Sequence, residues 1–419
     1  MKSLLDKINA KLNAQGGFFK AVSVLVGGTA FAQLIGFICL PILTRLYTPE
    51  DYSVLGVYVA IVSILSVVSC LRFEIAIPIS KHNEEAKALL LLAIISNIIF
   101  TVLISLVIFI TVIFNIKIKI LEDLSFFIWF IPLNILLYGL YISTQYWCSR
   151  KKMFKDIAVT RVRQAIFSNG GSIGVGVVSG SFFGLILGNL INSASGLLKL
   201  GFYTYKDTKG IKSDRLKDTF IKYKDFPKYS TFEALANTSS IYLPLIIISF
   251  FILGPEVGYL MLAMKVLGIP MGLIGSAIAQ VYHSNAPEYY EKNELYSYSL
   301  SIVKKIFKLI LIPFILLFLI SPFIFEFLFG KEWKDLGSYI IWMIPWYFMQ
   351  MLVSPISMSL HIIGEQKVAL LLQILGFVIR IVGLLLVAFF YKDLAIIYYI
   401  LSGFLFYFIY FFVVILRIR

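Results

Sequence analysis

Long apolar runs, separated by short polar stretches, recur along the whole chain of 419 residues. A helix needs about 20 mostly apolar residues to cross the hydrocarbon core of a bilayer. The runs therefore predict an all-α polytopic membrane protein with about twelve transmembrane helices. The predicted spans are about 18–43, 52–78, 86–113, 124–148, 158–179, 181–204, 229–253, 256–283, 298–327, 338–362, 367–390 and 393–416.

The longest polar stretch, residues 206–228, lies almost midway along the chain and reads KDTKGIKSDRLKDTFIKYKDFPK. A loop this basic resists crossing the bilayer during insertion, so it is expected in the cytoplasm. It divides the chain into an N-lobe of six spans (18–204), a basic cytoplasmic linker (205–228) and a C-lobe of six spans (229–419).

The other basic residues agree with this orientation. Of the 37 Lys and Arg residues, 26 fall on the N-terminus, the loops after even-numbered spans, the adjacent helix ends and the tail, against six on the opposite side. This bias predicts that both termini are cytoplasmic. Residues 1–17 place Leu4, Leu5, Ile8 and Leu12 on one helical face, which predicts an interfacial N-terminal helix.

Composition narrows the function class further. Hydrophobic residues make up 59% of the chain and charged residues only 14%, well below the usual share in soluble domains. The net charge is +14, and the basic residues responsible for it cluster in the loops between apolar runs. This distribution is typical of a membrane protein's cytoplasmic loops, so we expect no nucleic-acid partner. The loops outside the spans are short, and the sequence has no P-loop and no metal-ligand cluster, so we expect neither an enzyme nor a metal site.

A short repeat links the two lobes. Pro49-Glu50 follows the first span, and Pro255-Glu256 follows the seventh. Each pair suits the start of a helix, because proline fits the first turn and glutamate is stabilised at the positive end of the dipole. With six spans per lobe, this repeat predicts two lobes related by a pseudo-two-fold axis along the membrane normal.

Ionisable residues inside the predicted spans are the candidate functional groups, because burying charge in a membrane is costly. The basic ones are Arg72, Arg161, Arg163, Lys265 and Arg380, and the acidic ones are Glu74 and Glu233.

The positions of Lys265 and Arg380 place both deep in the bilayer. They lie roughly 13 Å past Glu256 and roughly 20 Å past Lys367 along their helices. Arginine and lysine suit a phosphate-bearing substrate, so the five cations are candidate substrate-binding residues. Glu74 and Glu233 are candidate ion-coupling residues. The alternative is structural: pairing between helices, such as Arg72 with Glu233, or snorkelling at helix ends.

Two stretches carry a resemblance to a known family. GGTAFAQLIGFICLPILTRLYTPEDYSVLGVY, followed by LRFEIAIPIS, resembles the start of bacterial polysaccharide biosynthesis proteins. These are lipid-linked oligosaccharide (O-antigen) flippases of the multidrug/oligosaccharidyl-lipid/polysaccharide exporter superfamily. The TRLYTPEDYS turn and the RFEIAI segment carry the likeness locally, and the hydropathy pattern extends it over the whole chain.

The resemblance implies a function, a substrate and a location. It implies translocation of an undecaprenyl-diphosphate-linked oligosaccharide, an O-antigen or capsular repeat unit, to the outer leaflet of the bacterial cytoplasmic (inner) membrane. It also implies a V-shaped pair of lobes around a cationic cavity. Only Arg72 and Glu74 match the family by motif position. The expected partners are the lipid-linked glycan, membrane lipids, and a glycan polymerase with its chain-length machinery. No cofactor is expected beyond a coupling proton or sodium ion.

Two other functions compete with this interpretation. A multidrug or cation antiporter of the same superfamily would favour buried acids, whereas the buried charge here is positive on balance. A membrane enzyme such as a glycan polymerase would need a sizeable periplasmic loop with catalytic residues. We therefore predict a flippase working by alternating access of the two lobes. The sequence leaves open the sugar, the energy source and the oligomeric state.

Overall fold

The structure is a computed structural model that describes residues 17–114, 124–207, 213–252 and 254–419. These residues form helices and turns, with no strand among them. Nearly all of the predicted interfacial helix at residues 1–17 and part of the basic linker lie outside the described residues.

The α-helices, in chain order, are α1 (Gly17–Leu46), α2 (Pro49–Ser69), α3 (Phe73–Ala76), α4 (Asn83–Ile113), α5 (Phe130–Arg150), α6 (Phe154–Ser179), α7 (Phe183–Asp207), α8 (Ser213–Lys222), α9 (Thr231–Phe251), α10 (Glu256–Pro270), α11 (Ser276–Glu291), α12 (Leu295–Phe329), α13 (Leu336–Val353), α14 (Ser359–Ile362), α15 (Gln366–Phe377), α16 (Gly383–Phe390) and α17 (Ala395–Ile418). The π-helical segments are Phe226–Ser230, Met271–Gly275 and Val378–Val382. The 3₁₀ segments are Ser125–Trp129, Lys331–Trp333, Ser354–Ile356 and Lys392–Leu394.

Eleven helical segments within the described residues are long and apolar enough to cross a membrane. They coincide with eleven of the twelve predicted spans, which confirms the fold class of a helical multi-pass membrane protein. The remaining predicted span, 158–179, falls on α6, which is 26 residues long but too polar to qualify. Its polarity comes partly from Arg161 and Arg163, two of the candidate residues.

The second predicted span, 52–78, is interrupted. Helix α2 ends at Ser69, and the chain turns before the short helix α3 begins at Phe73. Leu71 and Arg72 have φ angles of 50° and 61°, in the left-handed region that L-residues rarely adopt. A right-handed helix cannot continue through such residues, so the turn directs α3 away from the line of α2.

The contacts within the chain divide it into two compact units, and each unit is made of two separate segments of the sequence. Unit 1 comprises Met1–Cys39 and Ile61–Thr238, and unit 2 comprises Leu40–Ala60 and Ser239–Arg419. These boundaries differ from those predicted for the lobes, because Leu40–Ala60 groups with the later part of the chain.

Unit 1 is built on α4, α5, α6 and α7, with α3 and α8 packed on α4. Its apolar core includes Phe73 and Trp147, both fully buried. A buried amide joins α4 to α5, where Asn97 Nδ2 donates to the Leu136 carbonyl at 2.9 Å. Gly139 allows this approach, because a Cβ there would lie 2.3 Å from Asn97 Oδ1.

In unit 2, α10, α12 and α17 pack around α13, and the unit also includes the turn between α1 and α2. Thr48 and Asp51 cap α2 reciprocally: Thr48 N donates to Asp51 Oδ2 at 2.9 Å, and Asp51 N donates to Thr48 Oγ1 at 3.2 Å. Helix α2 thus begins at Pro49 as the sequence predicted. The turn between α1 and α2 is also bonded to the buried side chain of Trp333, whose Nε1 donates to the Thr44 carbonyl at 2.9 Å.

Candidate functional site

The turn before α3 places a charged pair in the interior of unit 1. Arg72 NH1 lies 3.5 Å from Glu74 Oε1, and the Glu74 side chain is only 4% exposed against 26% for Arg72. Both groups remain incompletely satisfied, because Arg72 Nε and Glu74 Oε2 are buried without a hydrogen-bond partner. The left-handed backbone at Leu71 and Arg72 is strained. Such strain costs about 1–3 kcal/mol per residue and tends to occur at functional sites.

The environment of Glu74 favours the protonated carboxyl. Glu74 lies in α3, between the spans Pro49–Ser69 and Asn83–Ile113, and is therefore outside both membrane-spanning segments. Burial raises the pKa of Glu74 to about 7, and the positive charge of Arg72 opposes this rise only in part. The titratable groups that act electrostatically with Glu74 are Arg72, Cys70 and Tyr146. Glu74 can therefore exchange a proton near neutral pH, which is the chemistry that an ion-coupling residue needs.

The two arginines of α6 have different surroundings. Arg161 is partly buried, and its NH1 donates to Thr29 Oγ1 of α1. The Tyr141 side chain of α5 also hydrogen-bonds Arg161, so the two recorded partners of this cation are neutral hydroxyls. Arg163 is exposed and lines a groove of about 300 Å³ between α6 and α7.

Glu233 lies within the span Phe226–Phe251, in agreement with its predicted position, but its side chain is not buried. It lies in the first turn of α9, and its side chain is exposed. The carboxylate that pairs with Arg72 is that of Glu74, two residues away. Hydropathy placed Glu233 within a span but carries no information about which way the side chain faces.

Arg380 is the most deeply buried candidate cation, at 5% exposure. It lies in the π-helical segment Val378–Val382 of unit 2. A π-turn adds a residue and frees backbone groups from the usual helical bonds. The Tyr398 hydroxyl compensates by donating to the Ile379 carbonyl at 2.9 Å.

Aromatic rings enclose the Arg380 guanidinium. Its Cζ lies 4.8 Å from the centroid of the Trp346 ring and 5.9 Å from that of Tyr399. Two N–H groups, Arg380 Nε and Trp346 Nε1, are buried without a hydrogen-bond partner. Arg380 forms no ion pair within the described part of the chain. The guanidinium also hydrogen-bonds Tyr399, so among the described residues the cluster contains a positive charge and two unused donors but no carboxylate paired with the charge.

Lys265 lies in α10 of unit 2, and its side chain is exposed, in contrast to Arg380. Sequence reasoning placed both at similar depth but missed the aromatic partners of Arg380. The adjacent aromatic pairs Trp346-Tyr347 and Tyr398-Tyr399 were the available signal, because such pairs inside a span offer ring faces to a cation. Metal-binding groups of three or more His, Cys, Asp or Glu residues are absent from the described ranges.

The chain is similar in sequence to one known protein family. The family model described as "Polysaccharide biosynthesis protein" matches residues 42–338, which confirms the resemblance drawn from the two sequence stretches. No curated protein matches the sequence.

Solved structures share the fold at low sequence identity. The lipid II flippase MurJ in an inward closed conformation has a TM-score of 0.68 at 14% identity, covering 94% of this chain and 89% of that chain. An inward-facing multidrug resistance MATE family transporter of the MOP superfamily has a TM-score of 0.63 at 15% identity, covering 92% and 94%. A MOP superfamily transporter from Pyrococcus furiosus has a TM-score of 0.59 at 14% identity, covering 95% of each. The names of these structures describe two transporters and a flippase, and their likeness to this chain lies in the fold.

Proposed function

The chain belongs to the polysaccharide biosynthesis protein family, and from this premise we propose that it is a lipid-linked oligosaccharide flippase. The proposed substrate is an undecaprenyl-diphosphate-linked O-antigen or capsular repeat unit, moved to the outer leaflet of the bacterial cytoplasmic membrane. Both termini are proposed to face the cytoplasm, in accord with the basic linker. A glycan polymerase and its chain-length machinery are proposed partners that would receive the translocated unit.

Arg380 is the observation that supports this proposal most directly. Removing a charge from water costs several kcal/mol, and cation–π contacts return only about 0.5–2 kcal/mol each. A buried arginine that forms no ion pair among the described residues, beside unused donors at Arg380 Nε and Trp346 Nε1, is suited to an anion. The diphosphate of a lipid-linked glycan supplies such an anion, and the planar guanidinium fork matches its oxygens.

The other candidate residues have supporting roles in this proposal. Arg72 and Arg161 of unit 1 and Lys265 of unit 2 are further candidate cations for the substrate, while the lipid tail stays in the bilayer. Glu74 is the stronger candidate for proton coupling because its carboxyl is buried, whereas Glu233 is exposed. Translocation is proposed to proceed by alternating access of the two lobes.

The test replaces Arg380 in cells that depend on this protein for surface glycan. Arg380→Ala should lower surface glycan at least tenfold and cause lipid-linked units to accumulate inside. Arg380→Lys should restore part of the activity, because lysine keeps the charge and loses the planar fork. Lys392→Ala is the matched control, since it removes an exposed cation from the same unit. If Arg380→Ala gives the wild-type amount of surface glycan at equal protein level, the proposal is wrong.

A multidrug or cation antiporter is the second candidate, favoured by one observation. Glu74 offers a buried carboxylate, the type of group that binds a cation or exchanges a proton. In that case export of a cationic dye should require Glu74 and be indifferent to Arg380. Robust dye export with normal surface glycan after deletion would rank this function first.

A further inference from the structure

A groove on unit 1 is lined by neither Arg72 nor Glu74 and has no role in the function proposed above. It is lined by Arg163 of α6 and by Leu198, Lys199, Phe202 and Tyr203 of α7, and this open groove has a volume of about 300 Å³. The α7 residues are spaced by one, three and four positions, so they share one side of that helix. Such a volume is at the lower end of the range for small-ligand pockets.

One part of the groove is apolar and largely exposed. Leu198 is 73% exposed and Phe202 is 68% exposed, although both lie within the span Phe183–Thr204. Large apolar side chains exposed at membrane depth are suited to contact with lipid chains rather than water. An acyl chain is therefore the natural neighbour of these two residues.

The other part of the groove is cationic. Arg163 lies nine residues after the start of α6, and Lys199 lies eight residues before the end of α7. At 1.5 Å per residue, each is roughly 12–14 Å from the end of its helix on the same side of the unit. The two cations therefore lie at matching depth, within reach of the headgroup region when long side chains snorkel.

The net charge of the groove limits the choice of ligand. Lys199 forms an ion pair with Asp156, which neutralises part of the cationic end. Arg163 forms no ion pair in the part of the chain that the structure describes. Arg163, Lys199 and Asp156 together carry one positive charge, which balances the single negative charge of a phosphodiester.

We propose that this groove binds an anionic membrane phospholipid, with its phosphodiester at Arg163 and Lys199 and an acyl chain across Leu198 and Phe202. Tyr203 also lines the groove, and its hydroxyl would be a further donor to the phosphate. The lipid would be a bound component of unit 1, distinct from any transported substrate. Because the groove contains neither Arg380 nor Glu74, lipid binding there can be tested independently of the proposed flippase activity.

Native mass spectrometry of the purified full chain, titrated with phosphatidylglycerol, tests the site. Wild type should retain phosphatidylglycerol in preference to phosphatidylcholine, whose headgroup is neutral overall. Arg163→Ala should weaken phosphatidylglycerol binding about tenfold, and Arg163→Lys should recover much of it. Lys155→Ala is the matched control, because it removes an exposed cation from the same helix outside the groove. Circular dichroism and thermal unfolding establish that each variant is folded.

Three outcomes would overturn the proposal. The first is equal phosphatidylglycerol binding by wild type and Arg163→Ala, and the second is an equal loss with Lys155→Ala. The third is displacement of phosphatidylglycerol by a smaller amount of undecaprenyl phosphate, which would assign the groove to the lipid carrier. If Arg163→Ala does not fold, Arg163→Gln replaces it and carries the same expectation. Surface glycan measured in parallel reports on the flippase proposal separately.

Discussion

Replacing Glu74 by glutamine should change how the stability of the protein depends on pH. Burial raises the pKa of this carboxyl from 4.5 to about 7, so the fold disfavours its ionised form. At 1.36 kcal/mol per pKa unit, this shift corresponds to about 3 kcal/mol. The sign follows from linkage: the penalty is absent below pH 4.5, grows as pH rises and is fully present above pH 7.

The neutral, isosteric Glu74→Gln variant avoids this penalty at every pH. Its thermal unfolding temperature in detergent should therefore match wild type near pH 4.5 and exceed it at pH 8. Glu233→Gln is the matched control, because Glu233 is an exposed acid of the same unit. We expect that variant to follow wild type across the whole range.

The same change tests proton coupling. Near pH 6 most Glu74 carboxyls would be protonated, and near pH 8 most would be ionised. If Glu74 exchanges the coupling proton, transport should vary between these two values in wild type and lose that variation in Glu74→Gln. The reasoning is refuted if the unfolding temperatures of Glu74→Gln and wild type stay parallel from pH 4.5 to pH 8. A loss of stability at pH 8 in the variant would refute it equally.

Two further predictions concern packing and can be measured by thermal unfolding of the detergent-solubilised protein. Trp333→Phe should cost about 1 kcal/mol for the lost hydrogen bond to the Thr44 carbonyl, and Trp333→Ala about 3–5 kcal/mol through the added cavity; equal losses would show that the ring packing is unimportant. Gly139→Ala should destabilise the protein, because the new methyl group would lie 2.3 Å from Asn97 Oδ1. Gly170→Ala is its control: no atom lies within 4 Å of the added methyl group, so the helix should gain up to about 1 kcal/mol, and a gain at Gly139 would contradict the packing described.

The sequence predicted the helical elements well because their signals are local. Uninterrupted apolar runs located eleven of the spans, and Pro49 with its following acids marked the start of α2. The TRLYTPEDYS stretch carried the family resemblance, and two of its residues, Thr48 and Asp51, form the reciprocal cap of α2. Hydropathy missed the break at Leu71 and Arg72, because nothing in these residue types marks a left-handed turn.

The environment of each candidate residue depended on tertiary packing. Arg163 and Arg380 were both predicted inside spans, yet Arg163 is exposed in a groove and Arg380 is enclosed by aromatic rings. Glu74 and Glu233 were equivalent acids in the sequence, yet only Glu74 is buried. Spans that are apolar on every side give no periodic signal to indicate which side is buried.

The sequence by itself therefore determined that the chain is a helical membrane protein of a known family, with charged residues at membrane depth. Both conclusions rest on composition and short-range pattern, which are properties of contiguous residues. Only the tertiary structure decided which charges are paired, which are enclosed and which are exposed. Those outcomes depend on residues far apart in sequence, such as Trp346 and Arg380 or Arg163 and Lys199, which folding brings together.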